Sequence, residues 1–170
     1  KLSKKDMDRK KSLICFIGAP WTLILYMFNL KKLNGELDIK KFKRKIPEMR
    51  KIMVKLTNFS CEHIKNQILA GSDIVQIFDS WAGLLPKEYI DEFCINPNLR
   101  IVQFCKKNKI PVICFPKGLK KNYKSFVNKV KPDCISIDYD VNPRWAKLNL
   151  KNICIQGGLD PKMLLKSEKN

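Results

Sequence analysis

The sequence predicts an α/β protein organised on a parallel sheet, and three observations carry that prediction. Five short β-type runs recur along the 170 residues. Each is nearly continuous in apolar residues instead of strictly alternating, as strands covered on both faces are. Helical patterns fill the intervals, so strand and helix alternate five times, which requires parallel pairing through right-handed crossovers. An open doubly wound sheet and a (β/α) barrel both meet that requirement. Neither a G-x-G-x-x-G nor a P-loop follows any run, so the nucleotide-binding open sheets gain no support.

The runs are LICFIG (13–18), DIVQIFD (73–79), IPVICF (110–115), DCISID (133–138) and NICIQG (152–157). After the first, residues 38–70 read as helix, with Phe42, Ile46, Met53, Leu56, Ile64 and Ile68 at helical spacing and Gly71 as a C-terminal cap. Pro47 and the stretch 57–60 are candidate breaks in it. EYIDEFCINPNLRIVQFCKKN (88–108), YKSFVNKV (123–130) and PRWAKLN (143–149) supply the next three connections. DPKMLLKSE (160–168) opens another helix, with Asp160 as N-cap and Pro161 at the first helical position. Each run ends in polar or specially shaped residues: Trp21 and Tyr26, then Asp79 and Ser80, Lys117, Asp138 and Asp140, and Gln156 and Asp160. A barrel keeps its chemistry at the C-terminal strand ends, so this pattern favours the barrel. Five units are not eight, and an incomplete barrel would leave apolar edges beside the first and last runs, an aggregation hazard.

A hydrophobic content of 45% suffices for one core, so a single domain over residues 1–170 with no separate second domain is expected. No apolar stretch reaches the roughly 18 residues of a membrane span. The charged start, KLSKKDMDRKKS, has no signal-peptide pattern after it, so a cytoplasmic protein without membrane association is expected. The chain opens on Lys1, as a cropped domain or gene fragment would. Thirty-four basic against sixteen acidic residues give a net charge of +18, which raises nucleic acid or another polyanion as a partner. The lysines are scattered, and the aromatic residues lie elsewhere in apolar runs, so no stacking platform is interleaved with the charge. Nucleic acid is therefore not the expected partner. Seven cysteines show no C-x-x-C and no zinc spacing. Cys15, Cys114, Cys134 and Cys154 fall in predicted strands and read as core residues in a reducing compartment. The single histidine, His63, is helical and has no cysteine or carboxylate at ligand spacing, so no metal site is expected.

Five fragments, GAPWTLILYM (18–27), VQIFDSWAG (75–83), FPKG (115–118), SIDYD (136–140) and IQGGLDP (155–161), occur in this order at the strand ends. Together they closely resemble the uroporphyrinogen decarboxylase family over nearly the whole chain. The resemblance implies a (β/α)₈ TIM barrel, incomplete here, whose five units are the third to the seventh. It also implies a cytoplasmic homodimer when full length, and no metal or organic cofactor. The implied activity removes carbon dioxide from the four acetate side chains of uroporphyrinogen III to give coproporphyrinogen III. Protonation of a pyrrole carbon turns the substrate's own ring into the electron sink. The protein's part is then to position an octacarboxylate and stabilise a transient charge.

The same resemblance assigns substrate contact to Tyr26 and Ser80, a phenol and a hydroxyl that can donate to carboxylates without adding a charge to desolvate. Gly18, Pro20 and Trp21 read as shaping the turn, and Trp81 as packing the wall. The family's carboxylate-gripping Arg-Gln-x-x-Arg segment, its central catalytic aspartate and a histidine from the last strand have no counterpart in these 170 residues. No catalytic residue is therefore expected in this chain, and by itself it is expected to be inactive. At FPKGLKK, Leu-Lys-Lys replaces the small glycine-rich sequence of bacterial members, and Asp79, Asp138 and Asp140 are not promoted to the missing acidic role. Two other readings remain: a corrinoid-dependent methyltransferase of the same superfamily, which needs zinc held by His and Cys at strand ends, and a basic α/β module that binds nucleic acid through its lysines.

Overall fold

The computed structural model describes residues 2–8 and 10–165. A short helix, α1 (Leu2–Asp6), precedes the first of five strands: β1 (Ile14–Gly18), β2 (Ile74–Asp79), β3 (Val112–Pro116), β4 (Cys134–Ile137) and β5 (Cys154–Gly157). All pair in parallel in the order β1-β2-β3-β4-β5. The helices α2 (Pro20–Met27), α3 (Ile39–Leu69), α4 (Asn96–Lys107), α5 (Tyr123–Val130) and α6 (Pro143–Asn149) fill the intervals. A doubly wound sheet reverses its strand order at a switch point. This sheet never does: every crossover moves one strand onward, as in a barrel wall. The open alternative of the sequence is thereby removed, and the sheet is five strands of a TIM barrel.

Helix α3 differs from expectation, because it runs 31 residues through Pro47 without interruption. Its buried face explains why. Phe42, Ile46, Met49, Met53, Thr57, Ser60 and Ile64 recur every three or four residues, so one packed stripe spans both expected breaks. Thr57 stays in the helix by donating its hydroxyl hydrogen bond to the Met53 carbonyl at 2.8 Å. Pro47 faces solvent, where its ring displaces nothing packed. The ends follow the sequence: the Asp38 side chain accepts from the Lys41 N–H at 3.0 Å. Gly71 takes φ +104° just past the helix and donates to the Ile68 carbonyl.

Trp21, expected to shape the turn after β1, is instead fully buried in an aromatic cluster. Its ring meets Phe42 at 5.8 Å and Phe93 at 6.0 Å, and Phe42 in turn meets Tyr89 at 5.1 Å. This cluster fastens α2 to α3 and to the π-helical turn Asp91–Ile95 ahead of α4. The cysteine expectation holds for Cys114 and Cys134, both buried, but Cys15 is half-buried and Cys154 exposed. Position in the sheet is the reason. β3 and β4 are central, whereas every residue of β5 is exposed at the edge of the described sheet. β1 is the other edge, where Ile17 faces the helices while Phe16, on the opposite face, is 65% exposed. The segment after β5 forms a 3₁₀ turn (Pro161–Leu165), with Asp160 accepting from the Lys162 N–H at 2.9 Å. The rest of the expected final helix lies outside the described residues.

A proline inside a helix removes one backbone hydrogen bond and crowds the preceding turn, at a cost of about 3 kcal/mol. Pro47→Ala is therefore expected to raise stability by about 1–3 kcal/mol in urea denaturation. An unchanged or lowered midpoint would show that α3 carries no such cost.

Candidate functional site

The stretch after β1 turns sharply because the Ala19 N–H is captured by the Phe78 carbonyl at 2.9 Å, and Pro20 then starts α2 with a preset φ. Trp21, Thr22, Ile24 and Leu25 of α2 are buried. Its last turn emerges at the C-terminal end of the sheet, and there Tyr26 is 60% exposed.

Two tryptophans position that tyrosine. The Trp21 indole N–H donates to the Trp81 carbonyl at 2.8 Å, and the Trp81 indole N–H donates to the Tyr26 hydroxyl oxygen, also at 2.8 Å. The Tyr26 and Trp81 rings meet edge to face at 6.4 Å. Because the phenol oxygen already accepts from Trp81, its own O–H remains to donate outward. Ser80 immediately precedes Trp81 and is half-buried. The two residues assigned to substrate contact thus flank one anchored indole: Tyr26 is bonded to its nitrogen and Ser80 joined to its backbone. Trp81 is more than wall packing, since it fixes the phenol.

Lys31, which sequence reasoning missed, places its ammonium 3.9 Å from the centroid of the Trp81 ring. Asn29 at φ +47° and the bridge between Lys31 and Leu37 fold the chain back to bring it there. The site therefore combines two neutral hydroxyl donors, one cation and an indole surface, a set suited to holding an anion carried on an apolar body.

Asp79, at the end of β2, points the other way, sharing the helix-facing side with Val75 and Ile77. Its buried carboxyl accepts from the Thr22 hydroxyl at 2.9 Å and from the Asn98 amide at 3.1 Å. Burial pushes its pKa up to about 6, and hydrogen bonds from Cys94, Thr22 and Asn98 pull partly against that rise. The same burial, with Asp79 beside it, holds the Cys94 thiol well above its usual range. Asp138, at the end of β4, accepts from the Gly118 N–H at 2.7 Å and from the Tyr123 hydroxyl at 2.9 Å. Burial and this carboxylate raise the Tyr123 pKa. Both aspartates hold loops together, while Asp140 and Lys117 are exposed.

The loops after β2 and β3 meet backbone to backbone. The Gly83 N–H donates to the Lys117 carbonyl at 2.9 Å, and the Lys117 N–H donates to the Asp79 carbonyl at 3.1 Å. A Cβ on Gly83 would come within 2.7 Å of the Gly118 backbone, and Gly118 itself sits at φ +83°. The Leu-Lys-Lys departure leaves this contact intact: Leu119 is buried, and Lys120 and Lys121 point to solvent.

The Asp79 carboxyl holds its proton more tightly in the fold than an unfolded carboxyl near 3.8 does. Its contribution is complete below about pH 4 and disappears as pH rises through about 6, a change of roughly 3 kcal/mol. Asp79→Asn should flatten that slope in denaturant midpoints measured across the window; an undiminished slope would place its origin elsewhere. Gly83→Ala should destabilise by about 2 kcal/mol through the enforced separation of the two loops, and a wild-type melting temperature would refute the close approach.

The family model for uroporphyrinogen decarboxylase matches residues 1–170. A uroporphyrinogen decarboxylase of Rickettsia bellii is 38% identical over 172 aligned positions, covering 98% of this chain and 50% of that protein. One of Orientia tsutsugamushi is 40% identical over 167, covering 95% and 48%, and one of a Jannaschia species is 35% identical over 169, covering 97% and 49%. The chain spans about half the length of these relatives. With a barrel-ordered parallel sheet and a match along its whole length, the chain belongs to the uroporphyrinogen decarboxylase family.

Proposed function

We propose that this chain forms part of a cofactor-independent carboxy-lyase that converts uroporphyrinogen III to coproporphyrinogen III, in which Tyr26 and Ser80 hold substrate carboxylates. The observation that carries the reading is the Trp81-to-Tyr26 hydrogen bond, which turns an exposed phenol into a fixed outward donor beside Ser80. Lys31 adds a positive charge at the same corner without touching the phenol oxygen. These groups suit an octacarboxylate, because neutral donors orient a carboxylate while a nearby cation offsets its charge. The acid that protonates the pyrrole carbon and the group that stabilises the resulting cation are not among these residues. We assign them to the part of the family's barrel outside this chain. A homodimer in the cytoplasm completes the proposal; no helix among the described residues is long and apolar enough to cross a membrane.

The methyltransferase reading requires zinc ligands at strand ends, but His63 is exposed on α3 and stacked on Phe59 at 6.1 Å. No specific observation favours the nucleic-acid reading.

A chimera in which residues 1–170 replace the matching half of the Rickettsia bellii relative provides the test, assayed for coproporphyrinogen by chromatography. The chimera is expected to turn over, and the 170-residue chain alone is not. In the chimera, Tyr26→Phe should lower kcat/KM by about 10- to 100-fold, the loss of one hydrogen bond to a charged group, and Ser80→Ala by about tenfold. Turnover by the isolated chain, or wild-type kinetics in both variants, would overturn the assignment.

A further inference from the structure

A cavity lies at the same end of the sheet but away from Tyr26 and Ser80, between the loop after β3 and α6. Its volume is about 650 Å³, in the range of small-molecule sites. Val141, Trp145 and Leu148 supply apolar lining, and Leu148 is 66% exposed. Lys120, Lys121 and Arg144 stand around them, against a single carboxylate, Asp140. Among the described residues, none of these three cations pairs with an acidic side chain. Lys120 is moreover held at φ +49°, a backbone state costly for a residue with a side chain.

We propose that this groove binds an amphipathic polycarboxylate: a small apolar ring system bearing two or more carboxylates, with the rings against Trp145 and the carboxylates on Lys120, Lys121 and Arg144. Unpaired cations around an apolar floor reward a ligand that supplies both features at once, because each charge-assisted hydrogen bond forms beside surface that the ring removes from water. A second copy presenting this same face fits poorly, since it would set Lys120, Lys121 and Arg144 against their own counterparts. A nucleic-acid strand fits poorly as well, with one indole in place of a row of stacking rings. The ring system could be a tetrapyrrole, a choice that rests on the proposed function, or an unrelated aromatic polyacid; the groove's chemistry is common to both.

The test is a tryptophan-fluorescence titration of the 170-residue chain with naphthalene dicarboxylate, with coproporphyrin added as competitor. Saturable binding is expected, weakened by salt. Combining Lys120→Gln, Lys121→Gln and Arg144→Gln should weaken it by at least about tenfold, with the circular dichroism spectrum unchanged. Tyr26→Phe should leave unchanged the component of binding that this triple variant loses. Succinate, which lacks the rings, should bind at least about tenfold more weakly. Equal binding by the triple variant or by succinate would overturn the proposal. Equal affinity for hexaglutamate would also overturn it, in favour of an acidic protein partner. Competition by coproporphyrin would support the groove and name the tetrapyrrole as its source. Binding of naphthalene dicarboxylate without that competition would support the groove for a different polyacid. Neither result bears on turnover by the chimera, so failure here and failure of the decarboxylase reading are separable.

Discussion

Asp79 joins three elements at one point: its buried carboxyl takes Thr22 of α2 and Asn98 of α4, and its backbone carbonyl takes the Lys117 N–H from the loop after β3. A carboxyl taken out of water is tolerated only where hydrogen bonds surround it. The strand end therefore permits one arrangement of these neighbours, and the geometry of the mouth follows. With Thr22 held, α2 has one rotational setting about its axis, and Tyr26, four residues on along the same helix, inherits it. With Lys117 held, Gly83 and Gly118 are brought into backbone contact, and Gly118 passes the constraint to Asp138 just past β4.

Two kinds of polar chemistry share the C-terminal end of the sheet. Neutral hydroxyl donors, with the single cation Lys31 laid over the Trp81 ring, sit over β1 and β2, where a fixed orientation matters. Permanent cations sit farther round, on the loop after β3 and at α6, where solvent keeps them hydrated and no desolvation cost falls on the fold. This division gives the +18 charge local meaning: part of it is placed, although most is spread over helix surfaces.

Much of this was legible in the sequence where local pattern and tertiary context agree. The five apolar runs became the five strands, because burial between helices demands such composition whatever lies farther away. That Asp79 faces the helices could have been read from its register with Val75 and Ile77. Tyr26 and Ser80 came from the family resemblance, and spacing alone would not have joined them. Pro47 misled because a local breaker signal was outweighed by a packed stripe on both sides of it. Trp21 misled because a tryptophan near a turn does not announce which way it faces, and three partners distant in sequence decide that. Lys31 was invisible for the same reason: its place over Trp81 depends on a backbone reversal at Asn29 and on a residue fifty positions away.

The one-directional strand order also bears on how the chain acquires its structure. Each strand pairs only with its neighbour in sequence, and the gap to be closed shrinks along the chain: 60 positions from Ile14 to Ile74, 37 from Val75 to Val112, 21 from Ile113 to Cys134 and 20 from Cys134 to Cys154. Closing the longest of these loops costs only about 1 kcal/mol more than closing the shortest. Among the described strands no pairing has to wait for a distant segment, so each of these units can dock on the one before it as the chain leaves the ribosome. The first crossover is the longest, and α3, whose 31 residues form most of it, spans the gap as a rod, so in the native state that length carries local contacts in place of open loop.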